Sequence, residues 1–325
     1  MTVLASRSGE MDNRHEALAE VVTLYYIDGL DQSQIAKKMN VSRSTVSRMI
    51  TEARQAGIVE IRINRPLPID EALRREVITR YGLREALILS ANDSNAATLQ
   101  RVGALTAQYV ENALTDGGII TISWGTSLAA TVDALQGGIR RNVKVVQMIG
   151  AAGSINPAVD GFELARKMAG RLAGNFVTLN APLLVDDPTV ARALLRQRSV
   201  ATVLDQAAEA EMALIGLGGT DPAISSIVRS GFATPAVLSR AVKAGVVGDV
   251  GGHMVMADGR IAQSELSDRM IGLDEARLRS IPTVVAIAAG PQKVDVIRAA
   301  LLSGFINVLA TDSQTIAAVL QSDKS

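Results

Sequence analysis

Cysteine is absent from this 325-residue chain, which excludes a disulfide and a thiolate metal site. That composition suits a reducing compartment, and a cytoplasmic location is expected. The two histidines, His15 and His253, are too few for a multi-histidine metal site within one chain, so neither a metal nor another cofactor is expected. Aromatic residues make up 3% of the chain against 48% hydrophobic residues, so its cores must be built from Ala, Val, Leu and Ile. The first fifteen residues are polar and no apolar run reaches the roughly 18 residues of a membrane span, so neither a signal peptide nor a transmembrane helix is expected. Net charge is lacking too, with 33 cationic and 33 anionic side chains. Attraction to a polyanion would have to be local. The length suits one to three domains, with two the natural division.

Such a local feature lies between Leu30 and Gly57, LDQSQIAKKMNVSRSTVSRMITEARQAG. The pattern predicts a helix over 32–39 with Ile35, Ala36 and Met39 inward, a turn at Asn40 and Val41, and a second helix over 43–56. Ser42 suits the N-cap, where a hydroxyl accepts from unpaired backbone N–H groups. Val46, Met49, Ile50 and Ala53 form one apolar stripe, and Gly57 ends the helix. The opposite face gathers Arg43, Ser44, Thr45, Ser47 and Arg48. In a helix-turn-helix, the start of the second helix meets base edges in the major groove, where arginine and hydroxyl side chains bond bases and phosphates. From 32 to 65 there are seven cations (Lys37, Lys38, Arg43, Arg48, Arg54, Arg62, Arg65) and two anions (Glu52, Glu60). The alternative is a plain helical bundle with a solvated basic face. The coincidence of turn, cap, Ser/Arg cluster and charge favours DNA, with Ser42, Arg43, Ser44, Thr45, Ser47 and Arg48 as the contact set.

The chain divides around this segment. Residues 1–14 are expected to be a disordered tail, 15–65 a winged helix-turn-helix DNA-binding domain, and 66–325 an effector domain. A supporting helix over 16–27 places Leu18, Val21, Val22 and Tyr25 inward. The alternation in 58–63, IVEIRI, predicts a half-exposed strand, a wing. Pro66 and Pro68 mark the boundary, and a charged helix follows over 69–81. Beyond it, short apolar strands (86–89, 119–122, 143–149, 176–179, 212–215, 246–250, 283–288, 306–309) mostly alternate with helices (96–114, 127–135, 161–172, 188–195, 234–244, 292–302, 313–320). That alternation predicts a Rossmann-like α/β domain with a mostly parallel sheet covered on both faces.

Ligands of open α/β sheets bind beyond the carboxyl ends of the strands. Four loops there are candidates. Ser123, Trp124, Gly125, Thr126 and Ser127 open a helix with free N–H groups and the hydroxyls of Thr126 and Ser127, which suits an anion, although a plain capped turn would read the same. Gln147 can reach a sugar hydroxyl or phosphate, and Gly150 and Gly153 permit close backbone approach, or simply a tight turn. Asp249 can accept from vicinal hydroxyls, whereas His253 nearby reads as structural. Gly290 and Lys293 flank a helix start after an apolar strand, where lysine is a good phosphate partner or merely a surface cation.

The segments DGLDQSQIAKKMNVSRSTVSRMITEARQAGIVEIRI, ITISWGTSLAATVDAL, VGDVGGHMVMADGR and IPTVVAIAAGPQKVDVIRAALLSGFINVLATD, in that order, resemble the SorC family of bacterial sugar-responsive transcription regulators over nearly the whole chain. The resemblance implies an effector domain similar to sugar-phosphate isomerases and glucosamine-phosphate deaminases. It also implies assembly as a homotetramer or dimer of dimers, binding of operator DNA, and a response to a sugar, sugar alcohol or sugar phosphate. Under it, Gly125, Thr126 and Ser127 match a phosphate loop, with Ser127 in place of the usual threonine. Asp249 matches the acidic residue that holds effector hydroxyls, and Gly290 and Lys293 match a phosphate clamp beside which Pro291 removes one backbone donor. A repressor of a carbohydrate or polyol operon is the expected function. The competing readings are an isomerase or deaminase with an accessory DNA-binding domain, and a DNA-binding scaffold without a ligand. The deaminases carry an Asp-Gly-His run after a glycine turn. Here the turn from Gly216 to Asp221 has no histidine.

Overall fold

The computed structural model describes residues 3–59, 67–91, 96–137, 142–151, 153, 156–223 and 225–322. The chain divides into two compact units, Met1–Pro66 and Leu67–Ser325.

The first unit is three helices: α1 (Val3–Tyr26), α2 (Gln32–Met39) and α3 (Arg43–Gln55). Asp31 opens α2 with a capping box, accepting from the N–H groups of Ser33 and Gln34 while the Gln34 side chain accepts from the N–H of Asp31. Asn40 ends α2 in the left-handed conformation at φ 53°, a conformation asparagine tolerates. Ser42 caps α3, accepting from the Thr45 N–H at 3.1 Å. Leu18, Val21, Val22 and Leu24 of α1 pack with Ile35 of α2 and Val46, Met49, Ile50 and Ala53 of α3. The sequence predicts a disordered tail over 1–14, but α1 is helical from Val3. From residue 3 this stretch holds several good helix formers and no proline, so its backbone continues the helix. Of the predicted wing over 58–63, residues 60–63 lie outside the described residues, as do Glu60, Arg62, Arg65 and Pro66.

The second unit begins with α4 (Glu71–Tyr81), capped by Asp70 and ended by Gly82 at φ 67°. There follow β1 (Glu85–Leu89), α5 (Ala96–Ala113), β2 (Ile119–Ile122), α6 (Thr126–Ala134), β3 (Lys144–Gln147), α7 (Gly161–Arg171), β4 (Asn175–Val177), α8 (Pro188–Arg196) and α9 (Arg198–Ala208). Then come β5 (Met212–Gly219), α10 (Ser226–Arg229), α11 (Pro235–Lys243), β6 (Val246–Val250), β7 (His253–Met256) and α12 (Glu275–Ser280). Last are β8 (Thr283–Ile287), α13 (Val294–Ser303), β9 (Val308–Asp312) and α14 (Ser313–Ser322). The main sheet runs β1-β9-β8-β5-β2-β3-β4, all parallel. Alternate strand residues serve opposite faces: Ala213 and Ile215 pack into one core, Met212 and Leu214 into the other. Burial on both faces is why these strands read as unbroken apolar runs.

Successive strands lead outward in opposite directions from the β2–β5 pair, so the topology reverses there. β5 outruns its parallel neighbours, and its last residues pair antiparallel with β6: Leu217 opposite Val250, Gly218 opposite Asp249, Gly219 opposite Gly248. β7, α9, α10 and α12 were not foreseen. β7 returns from the Gly251-Gly252 turn to pair with β6, and α9 follows α8 after a break at Gln197.

Candidate functional site

In the first unit, Arg43, Ser44, Ser47 and Arg48 are exposed at the start of α3 and Thr45 is half-buried. The hydroxyls are not equivalent. Ser42 Oγ lies 2.8 Å from both Ser44 Oγ and Thr45 Oγ1, so these three hydroxyls satisfy one another and hold the helix start. Arg48 Nε donates to the Ser44 carbonyl at 3.4 Å, a long contact that leaves its remaining donors outward. Glu52, the acid nearest this face in sequence, is engaged by Arg14 of α1, whose Nε donates to it at 3.1 Å. That hydrogen bond holds the Glu52 carboxyl below its ordinary pKa.

In the second unit, a cavity of about 450 Å³ lies at the carboxyl ends of β2, β5 and β8, where the strand order reverses. This is the place where open α/β sheets bind ligands. Gly125, at φ 120°, turns the chain from β2 into α6, and no side chain caps that helix. The backbone N–H groups of its first turn are therefore left for another acceptor, with Thr126 and Ser127 beside them on the cavity wall. Lys293 enters from the turn before α13, and its Nζ donates to the Leu217 carbonyl at 2.6 Å, with further protons available. Burial lowers the Lys293 pKa, opposed by the nearby charge of Asp249. Burial raises the Asp249 pKa, opposed by Lys293 and by the Gly252 N–H, which donates to Asp249 Oδ2 at 3.2 Å. An anion beside Lys293 would favour its charged form.

Glycine makes room for that carboxylate. A Cβ on Gly218 would stand 1.8 Å from Asp249 Oδ1. The antiparallel pairing of β5 with β6 thus carries Asp249 onto the cavity wall, its carboxylate lying over Gly218.

Of the predicted ligand set, Gly125, Thr126, Ser127, Asp249 and Lys293 meet in this cavity. Gln147, Gly150 and Gly290 do not line it. Gln147 is buried, with Nε2 donating to the Ile149 carbonyl at 2.8 Å and Oε1 accepting from the Leu179 N–H at 3.3 Å. Its amide groups pin the chain after β3. Gly150 is small because the Pro182 carbonyl crosses there, 2.3 Å from where a Cβ would lie. The Gly290 N–H donates to Thr315 Oγ1 at 2.9 Å and to Asp312 Oδ2 at 3.3 Å, anchoring the turn that presents Lys293. His253 packs parallel to Phe305 and its Nε2 lies 3.0 Å from the Leu273 carbonyl, a structural setting.

Sequence reasoning missed Leu99, Asn156, Ser226, Arg229 and Ser230 on the cavity wall. Arg229 adds an exposed cation. The only hint was an arginine in a Ser- and Gly-rich stretch after a strand, where no helical period stands out. Among the described residues no group of three or more metal-ligating side chains occurs, and no helix is long and apolar enough to cross a membrane.

A helix-turn-helix unit in one chain with an α/β unit that carries a cavity lined by Thr126, Ser127, Asp249 and Lys293 points to the class of ligand-responsive DNA-binding proteins. The family description "Putative sugar-binding domain" matches residues 68–321, and "Sigma-70, region 4" matches residues 16–56. The chain is similar to the transcriptional regulator LsrR of Klebsiella pneumoniae, at 31% identity over 94% of this chain and 93% of that one. It is also similar to the deoxyribonucleoside regulator of Bacillus subtilis, at 29% identity over 95% of this chain and 99% of that one. Its fold matches the full-length sorbitol operon regulator SorC of Klebsiella pneumoniae with a TM-score of 0.71, at 24% identity, over 95% of this chain and 99% of that structure. The chain belongs to the SorC family of transcription regulators with a sugar-binding domain.

Proposed function

We propose that the chain represses a carbohydrate or polyol operon in the cytoplasm, and that a sugar, sugar alcohol or sugar phosphate in the cavity releases it from operator DNA. The carrying observation is the convergence of the uncapped start of α6, Lys293 and Asp249 on one cavity, in a chain that also presents Arg43 and Arg48 on a recognition helix. The volume of about 450 Å³ suits a pentose or hexose phosphate. The phosphate takes the α6 N–H groups, Thr126, Ser127 and Lys293, and the hydroxyls take Asp249. DNA contacts come from Arg43, Ser44, Ser47 and Arg48, with Ser42 and Thr45 holding the helix start. The protein works as a symmetric oligomer, a tetramer or dimer of dimers, whose paired recognition helices meet paired half-sites. The effector shifts the oligomer between arrangements by its difference in affinity for them.

Regulation rather than catalysis is supported by a cavity wall that holds no histidine among the described residues and by the names of the relatives. Turnover of a sugar phosphate at an ordinary enzymatic rate would defeat that reading.

Trp124 is the only tryptophan and lines the cavity, so its fluorescence is the direct test. A saturable change is expected with one class among free sugars, polyols and their phosphates. Lys293→Ala should weaken the response to phosphates about tenfold or more while operator affinity without effector stays unchanged. Silence across the panel would remove the cavity from the sugar class. An unchanged phosphate titration in Lys293→Ala would remove the lysine from the phosphate site.

A further inference from the structure

A second, smaller space adjoins the main cavity. Trp124, Asp249 and Gly252 line both, and beyond them the chamber is closed by Ile227, Phe232, Met254, Leu266 and Met270. Its volume is about 20 Å³, enough for one water- or methyl-sized group. Among the described residues its polar side chains are the Trp124 indole and Asp249, and Asp249 Oδ2 already accepts from the Gly252 N–H. Every other side chain of this wall is aliphatic, aromatic or thioether, so most of its surface is apolar. A hydroxyl placed among Phe232, Met254 and Leu266 would leave water without a replacement hydrogen bond, whereas a methyl would bury apolar surface.

We propose that this chamber receives a methyl or deoxy carbon of the effector, so that the effector is a deoxy sugar or its phosphate rather than a fully hydroxylated one. This rests on the reading of the main cavity as a sugar-phosphate site. The order of groups along the ligand follows from the walls: an anionic end at α6 and Lys293, hydroxyls at Asp249, and an apolar carbon past Trp124. Trp124, on the wall shared by the two spaces, packs against two of the apolar clusters of this unit.

The test uses the full chain and two matched pairs of probes: 2-deoxyribose 5-phosphate against ribose 5-phosphate, and fuculose 1-phosphate against tagatose 1-phosphate. Affinities are read by Trp124 fluorescence and by calorimetry. The deoxy member of at least one pair should bind about ten- to a hundredfold more tightly, the range a hydrophobic pocket achieves. Leu184→Phe, which adds bulk at the chamber wall, should weaken the deoxy member and bring the ratio towards one. Met270→Gln, which adds polar partners there, should shrink the ratio by strengthening the hydroxylated member. Both variants are checked for a native circular dichroism spectrum and unchanged operator affinity. Saturable binding with equal affinities in both pairs would overturn the chamber's role and leave the main-cavity reading intact. No saturable response to any of the four probes would overturn the chamber's role, and silence across the wider panel of sugars, polyols and phosphates would overturn the main-cavity reading as well. A ratio unchanged in both folded variants would mean that the preference arises elsewhere, and would also overturn the proposal.

Discussion

At the scale of single residues, the site depends on a few positions whose chemistry has no substitute. Gly218 is the sharpest. Its missing side chain is what admits the Asp249 carboxylate, 1.8 Å from where a Cβ would stand. Gly218→Ala should displace Asp249 and lower effector affinity about tenfold or more. The displaced carboxylate lies in the second unit, so operator binding without effector should persist, and paired calorimetry and DNA titrations would check both. On the other unit, Arg48 contributes charge where the hydroxyls of Ser42, Ser44 and Thr45 are bonded to one another. Arg48→Ala should weaken DNA binding, and if the contact is to phosphate, the slope of log affinity against log salt should fall by about one. An unchanged titration at two salt concentrations would remove Arg48 from the interface.

At the scale of elements, the β6–β7 hairpin carries Asp249 and is anchored through His253, the first residue of β7. That imidazole is held between Phe305 and the Leu273 carbonyl, and burial lowers its pKa below the ordinary 6.5. Asp274, Glu275 and Arg279 face it, the acids opposing the shift and the arginine adding to it. The unfolded chain then binds a proton at a pH where the folded chain does not, so stability is full above 6.5 and is lost as pH falls through the folded value. Melting curves between pH 7.5 and 5 should show a loss of stability towards low pH that His253→Asn reduces. An identical slope in wild type and variant would remove His253 as the cause.

Elements also show how far the sequence could be read. The pattern of α2, turn and α3 was legible because apolar period, cap and turn residue agree. β2 and β6 were legible to the residue because apolar runs ended in glycine or polar loops. β7 was not, because His253–Met256 pairs in a hairpin whose turn, Gly251-Gly252, looks like a ligand loop. Part of the site was legible for the same reason that part was misread. Glycines and polar groups after strands mark both ligand loops and tight crossings. Gly125 and Lys293 proved to line the cavity, whereas Gly150 faces Pro182 and Gln147 serves the backbone of Ile149 and Leu179. Only tertiary contacts separate the two cases. Arg229 was invisible because its helix, Ser226–Arg229, is a single turn with no period to detect.

At the scale of the molecule, two units with their own cores share one chain. A ligand that binds the folded second unit alone should stabilise it by mass action, by about 2.7 kcal/mol at a hundredfold excess over Kd. The same ligand should change operator affinity, and by reciprocity operator DNA should change effector affinity by the same factor. Calorimetric titration of the effector with and without operator checks this. Equal effector affinities in the two titrations would leave the units uncoupled.

The close fit of Gly218 against Asp249 also bears on how such a pocket can diversify. A floor position that admits no side chain offers no neutral steps, so inherited change there is closed. Arg229 and Gln292, exposed on the rim, are under no such constraint. Descendants of this chain are therefore free to acquire new effectors by altering the rim, while the floor and the fold that holds it stay as they are.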